Sequence, residues 1–141
     1  MTTARMKSED SYATLATRAL GTSRTTQRGS ERRRSTSKLY LIVRADLSAG
    51  QQAVQAAHAL RQFAAEHPEI DQEWFLVSNT LAFLEVPDER ALGVLLERAA
   101  TREFPVAAFF EPDRDYELTA LAMGPSARKL CSGLVLALQG L

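Results

Sequence analysis

Cysteine is nearly missing from this 141-residue chain, which has only Cys131. One thiol closes no intramolecular disulfide and builds no zinc cage. The fold must therefore rest on an apolar core, and a cytoplasmic rather than an oxidising setting is expected. Long hydrophobic runs are missing as well. The longest, Leu39 to Val43 and Val106 to Phe110, reach about five residues against the roughly 18 needed to cross a bilayer, so no membrane partner is expected. The chain lacks a Gly-rich phosphate loop, a paired-Cys motif, a His-x-x-x-His spacing and a Gly-x-Ser-x-Gly elbow. Metal-dependent and nucleotide-cofactor enzymes lose their usual signatures, and neither a metal nor a cofactor is expected.

Charge of one sign is absent only on average. Lys and Arg number 17, as do Asp and Glu, but the two kinds are separated along the chain. Residues 1–37 hold Arg5, Lys7, Arg18, Arg24, Arg28 and Arg32 to Arg34 against Glu9, Asp10 and Glu31, which leaves residues 38–141 with an acidic excess. The first segment is rich in Ser and Thr, and Tyr12 is its only aromatic residue. Such a segment cannot bury enough surface to offset its ordering entropy, so it reads as a disordered basic tail. Residues 38–141 are long enough to bury a core of their own.

Within residues 38–141 the pattern alternates between strands and helices. Leu39-Tyr-Leu-Ile-Val43 suits a strand covered on both faces. Gln51 to Glu66 has no Gly or Pro, and Ala53, Ala56, Ala57, Leu60, Phe63 and Ala64 share one side of a helix that Pro68 stops. A short second helix is expected over Glu69 to Ser78, with Trp74 and Phe75 packing inward. Thr80 to Val86 reads as a strand. Asp88 then caps a helix whose buried stripe is Ala91, Leu92, Leu95, Leu96 and Ala99. Strands follow over Phe104 to Phe110 and Tyr116 to Met123. Pro125 opens a last helix carrying Leu130, Leu134 and Leu138. The order β-α-(α)-β-α-β-β-α predicts a small α/β three-layer sandwich with a mixed four-stranded sheet.

Ligands of open α/β sheets sit beyond the carboxyl ends of the strands, which draws attention to Arg44, Asp46 and the start of the first helix. Backbone N–H groups near Gly50 and Gln51 are candidate anion or oxyanion donors there. Arg44 and Asp46 either serve that site or pair with neighbouring charges. Gln51, Gln55, His58 and Gln62 form a polar stripe opposite the apolar face. It is either a solvated surface or a row in which His58 takes a proton and the glutamines orient a substrate. Glu111, with Asp113 and Asp115, is either a carboxylate base or a solubilising turn. Cys131 reads as a small core residue.

Several of these segments, in order, resemble one family. Leu41-Ile-Val-Arg-Ala-Asp-Leu47 and Ala53-Val-Gln-Ala-Ala-His-Ala59 resemble the opening motifs of the type-two peptidyl-tRNA hydrolases, as do His67-Pro-Glu69 with Trp74, Val86-Pro-Asp-Glu89 and Thr119-Ala-Leu-Ala-Met-Gly-Pro125. The resemblance covers about residues 38 to 141. It implies a compact α/β domain, commonly a homodimer, that hydrolyses the ester joining a peptide to the 3′ ribose of tRNA without a metal. Peptidyl-tRNA or another RNA would be the partner. Arg44, Asp46, Gln55 and His58 fall on motif positions. By that resemblance His58, Glu111 and Asp46 are the candidate catalytic residues and Arg44 and Gln55 candidate substrate-binding ones, with Gln51 added from its place at the entry of the first helix. Two departures stand out. Gly50-Gln51-Gln52 replaces the family's lysine-bearing Gly-Lys-Gly-Lys, and Glu111-Pro-Asp-Arg-Asp115 replaces its Asp-Ala-Gly-x-Thr-Gln loop. These departures keep a second reading open, a hydrolase-fold domain whose catalysis has lapsed and which serves binding or regulation.

Overall fold

A computed structural model describes residues 37–140. The expected basic tail lies outside the described residues, apart from Ser37. Strand β1 (Lys38–Arg44) is buried from Leu39 onward because both of its faces are covered. Side chains alternate across a strand. Leu39, Leu41 and Val43 therefore join one core with Ala56, Phe63 and Trp74, while Tyr40 and Ile42 join another with Leu92, Leu95 and Ala99. The unbroken apolar run is the sequence of a strand with two cores to fill.

β1 lies at the centre of the sheet, parallel to β2 (Thr80–Val86) and antiparallel to β4 (Glu117–Met123). β3 (Val106–Glu111) pairs antiparallel with β4, as the short link between them predicts. Helices α1 (Ala49–Glu66) and α2 (Pro68–Val77) cover one face, and α3 (Glu89–Thr101) covers the other. The α/β fold with a mixed sheet and helices on both sides agrees with expectation. The strand count does not. The sheet has five strands in the order β3-β4-β1-β2-β5.

The extra strand replaces the expected last helix. After a 3-10 turn at Pro125–Ala127 and one helical turn, α4 (Arg128–Cys131), the chain extends into β5 (Val135–Leu136). β5 pairs antiparallel with Leu84 and Glu85, and Ala137 N–H donates to Phe83 O at 2.9 Å. Without β5 the outer edge of β2 would present bare N–H and C=O groups. Satisfying them outweighs the weak preference of Leu130, Leu134 and Leu138 for a helical stripe, and Leu134 and Leu138 pack instead into the two different cores.

Two smaller corrections concern the helices. Adjacent residues on a helix lie about 100° apart, so only one of Trp74 and Phe75 can face the sheet. Trp74 does so, donating its indole N–H to Thr80 O at 2.8 Å, while Phe75 is 56% exposed. The buried side of α1 is Gln52, Gln55, Ala56, Ala59 and Phe63, with Ala53 and Ala57 exposed. That is a rotation of roughly 80° from the purely apolar face. It brings α1 onto Ala107, Ala120 and Ala122; Gln55 is hydrogen-bonded at both ends of its amide, whereas Gln52 donates to Leu47 O and leaves its Oε1 buried without a partner. The third helix follows expectation: Asp88 Oδ1 accepts from Ala91 N–H at 2.9 Å, and Leu92, Leu95 and Ala99 are buried. Cys131 is buried as expected, and burial pushes its thiol up to about 11.

Candidate functional site

The carboxyl ends of β1, β2 and β3 meet the amino ends of β4 and α3 at one end of the sheet. Arg44, the last residue of β1, closes that end. Its guanidinium grips Asp46 with two bonds of 3.0 and 2.9 Å, and Nη1 donates to Glu117 Oε2 at 2.8 Å and to Leu118 O at 3.3 Å. Glu89 of α3 stands 3.5 Å from the same nitrogen. Arg114, from the 3-10 turn after β3, also donates to Glu117 Oε2, at 3.1 Å. The fork on Asp46 holds Arg44 charged above its ordinary range. Arg44 in turn lowers the Asp46 and Glu117 carboxyls, with Arg114 adding to the effect on Glu117. The Arg44 side chain is 7% exposed and both Asp46 oxygens are engaged. Arg44 and Asp46 do pair with each other, in an ion cluster that links the strands to α3.

Beside this cluster, on the α1 face, polar groups are arranged in a chain. Thr119 Oγ1 donates to Gln55 Oε1 at 2.6 Å, and Gln55 Nε2 donates to Glu111 Oε2 at 2.7 Å. Glu111 Oε1 accepts from Asp113 N–H at 3.2 Å. The Gln55 amide first, and the Asp113 N–H second, hold the Glu111 carboxyl below its ordinary range. Thr119 reaches this face through a break in register. Phe109 pairs with Ala120 and Phe110 with Leu118, so Thr119 is the extra residue of a bulge. With Leu118 in the α3-side core and Ala120 in the α1-side core, regular alternation would have turned Thr119 away from Gln55. His58, one turn on from Gln55 along α1, is exposed and stacks its ring on Phe109 at 4.4 Å and 8°. Gln62, a further turn along, donates to Ala108 O at 3.0 Å. Gln55, His58 and Gln62 of the polar stripe thus border β3, although the His58 side chain stays exposed.

Gln51 stands at the start of α1, exposed, and takes part in the helix cap. The helix begins at Ala49 under Ser48, whose Oγ accepts from Gln51 N–H at 3.3 Å while Gln51 Oε1 accepts from Ser48 N–H at 3.2 Å. This reciprocal cap engages one of the two backbone donors that the sequence left free for an anion. The fold therefore joins Gln55, His58 and Glu111 around one spot, with Arg44 and Asp46 in the adjoining ion cluster and Gln51 at the helix start. Sequence reasoning missed Gln52, which ties the loop by donating to Leu47 O at 2.7 Å, and the roles of Thr119 and Glu117. The signal for Thr119 was a lone hydroxyl inside an otherwise apolar strand. Among the described residues no group of three or more His, Cys, Asp or Glu side chains could hold a metal ion, and no helix is long and apolar enough to cross a membrane.

These features define a small α/β sandwich with a hydrogen-bonded Thr–Gln–Glu chain at the carboxyl end of its parallel strands. The family model described as peptidyl-tRNA hydrolase PTH2 matches residues 37–141, and the chain belongs to that family. Among solved structures it resembles the protein of unknown function Atu0240 from Agrobacterium tumefaciens strain C58. The TM-score is 0.53 at 16% identity, over 72% of this chain and 97% of that one. That likeness concerns the fold. No curated protein matches the chain.

Proposed function

We propose that this protein is a peptidyl-tRNA hydrolase, which directs water onto the ester joining the peptide to the 3′ ribose of tRNA. The observation that carries the reading is the Gln55 amide held between Thr119 and Glu111 at the mouth of the sheet, beside His58. Thr119 fixes the amide so that its N–H points at the carboxylate. The carboxylate keeps lone pairs that can hold a water. A carboxyl held below its ordinary range is a weak proton acceptor but a good orienting one. The imidazole of His58, stacked beside it on Phe109, is then the group placed to take the proton. Attack of the water oxygen on the ester carbonyl gives a tetrahedral intermediate, and its collapse returns the proton to the departing ribose oxygen.

The test is hydrolysis of peptidyl-tRNA by the purified full chain. His58→Ala should lower turnover by about 10²-fold if the imidazole moves the proton, and Glu111→Gln should lower it similarly by releasing the water. A folded His58→Ala variant with unchanged turnover removes the imidazole from the mechanism, and loss through Glu111→Gln alone moves the base there. The alternative, a lapsed domain serving binding or regulation, draws on Gln51, which caps the helix where the family's pattern has lysine. If the wild-type chain and Gln51→Lys both stay at background, that second reading stands.

A further inference from the structure

Glu111 of β3 and Glu117 of β4 stand opposite each other in the ladder, and cross-strand partners point their side chains to the same face. Two carboxylates so placed repel each other unless cations stand beside them. Glu117 has two such cations, since its Oε2 accepts from Arg44 Nη1 at 2.8 Å and from Arg114 Nε at 3.1 Å. Arg114 thereby reaches the side of the ladder on which Glu111 meets Gln55. The Glu111 carboxyl, held down first by Gln55 and then by Asp113, is lowered further through space by His58 and Arg114.

The two arginines differ in what they have left to give. The Arg44 side chain is 7% exposed, with Nε and Nη2 on Asp46 and Nη1 on Glu117 and Leu118 O. It is fully occupied. The Arg114 side chain is 34% exposed, and among the described residues only its Nε has a hydrogen-bond partner, so both Nη groups are open to a ligand. The turn that carries it is firmly held. Tyr116 N–H donates to Glu111 O at 2.9 Å, Asp113 N–H donates to Glu111 Oε1 at 3.2 Å, and Asp115 and Tyr116 both keep left-handed backbone, at φ 53° and 60°, which few residues other than glycine adopt. Arg114 and Glu111 are thus fixed to each other within one short turn.

Attack of a water held at Glu111 on an ester pushes the carbonyl π pair onto its oxygen, so negative charge grows close to Glu111 and Glu117. A cation must meet that charge, or repulsion raises the barrier. We propose that Arg114 is a catalytic residue of this hydrolysis, its Nη groups donating to the ester carbonyl oxygen as that oxygen becomes an oxyanion. The water oxygen bonds to the carbonyl carbon and gives one proton to His58. When the bond from that carbon to the ribose oxygen breaks, the electron pair of the oxyanion re-forms the carbonyl, the ribose oxygen takes the proton from His58, and Arg114 is left unchanged. This role rests on the hydrolase reading above and supplies the cation that reading leaves unnamed.

The experiment is steady-state hydrolysis of peptidyl-tRNA by the full chain and its variants, with folding checked by circular dichroism. Arg114→Ala should lower kcat by about 10²- to 10³-fold, as loss of one oxyanion donor does, while KM barely moves. Arg114→Lys, which keeps the charge, should recover most of the loss. Guanidinium ion, added to Arg114→Ala far below denaturing concentration, should restore kcat saturably, which an arginine that merely braced the turn would not permit. A higher KM with kcat intact means that Arg114 meets a group bound equally in ground and transition states, such as a phosphate, and overturns the proposal. Equal losses in Arg114→Ala and Arg114→Lys without guanidinium rescue overturn it as well, in favour of a structural role. If the wild type and Arg114→Ala hydrolyse equally well, only the role of Arg114 falls. If the wild type hydrolyses nothing, the hydrolase reading falls and this role with it.

Discussion

The two faces of the sheet are built on different rules. Under α3 the buried side chains are Leu92, Leu95, Leu121, Met123 and their apolar neighbours, together with Tyr40 and Cys131. Under α1 the buried set includes Gln52, Gln55 and Thr119, at 4, 6 and 0% exposure. A buried amide costs stability unless its hydrogen bonds are made: Gln55 is bonded to Thr119 and Glu111, while Gln52 Oε1 is left without a partner. The α1 face thus carries polar side chains in its interior where the α3 face is almost wholly apolar.

The largest effect should come from breaking the apolar side. Leu92 is fully buried, and Leu92→Ala should cost about 3 kcal/mol through lost transfer energy and a residual cavity. Denaturant titration measures it. The polar side predicts the opposite signature for activity, so hydrolysis per folded molecule should be unchanged in Leu92→Ala.

A smaller loss sharpens the contrast from the other face. Thr119→Val keeps the volume and removes the hydroxyl, leaving Gln55 Oε1 buried without its donor. The expected cost is about 1–2 kcal/mol in stability. Turnover should fall about tenfold, since an amide free to rotate no longer aims at Glu111. Thr119→Ser should recover turnover before it recovers stability. If Thr119→Val loses stability and keeps full turnover, the hydroxyl is a packing element only.

The smallest effect is in the acid range. The Asp46, Glu111 and Glu117 carboxyls are lowered in the folded state. Their contribution to stability is complete above the ordinary carboxylate range and disappears as pH falls through the lowered values. Thermal stability should hold from neutral pH down to about pH 4–5 and decline below it. Glu117→Gln should flatten that decline. Asp71 works in the opposite direction, because burial raises its carboxyl. A profile that already declines between pH 7 and 6 would mean that the ion cluster does not govern acid sensitivity.

The sequence by itself determined the elements whose signals are local. β1 was legible as an apolar run, α3 from the Asp88 cap and its stripe, and the end of α1 from Pro68, because propensity, capping and proline sterics act within a few residues. Gln55 and His58 were legible as members of one polar helix stripe and Glu111 as part of a charged turn, but no local pattern brings the turn to the stripe. The tertiary structure decided the rest. The last segment became β5 because β2 needed a partner for its backbone, a demand made by a strand some 50 residues away in sequence. The buried face of α1 shifted onto its amides because β4 presents small alanines and a hydroxyl there. Thr119 faces Gln55 only because a bulge adds one residue to β4. Arg44 became a clamp because carboxylates from its own loop, from β4 and from α3 converge on it. Pairing between distant segments is set by which surfaces and hydrogen-bonding groups remain unsatisfied once the local elements have formed, and no local pattern records that.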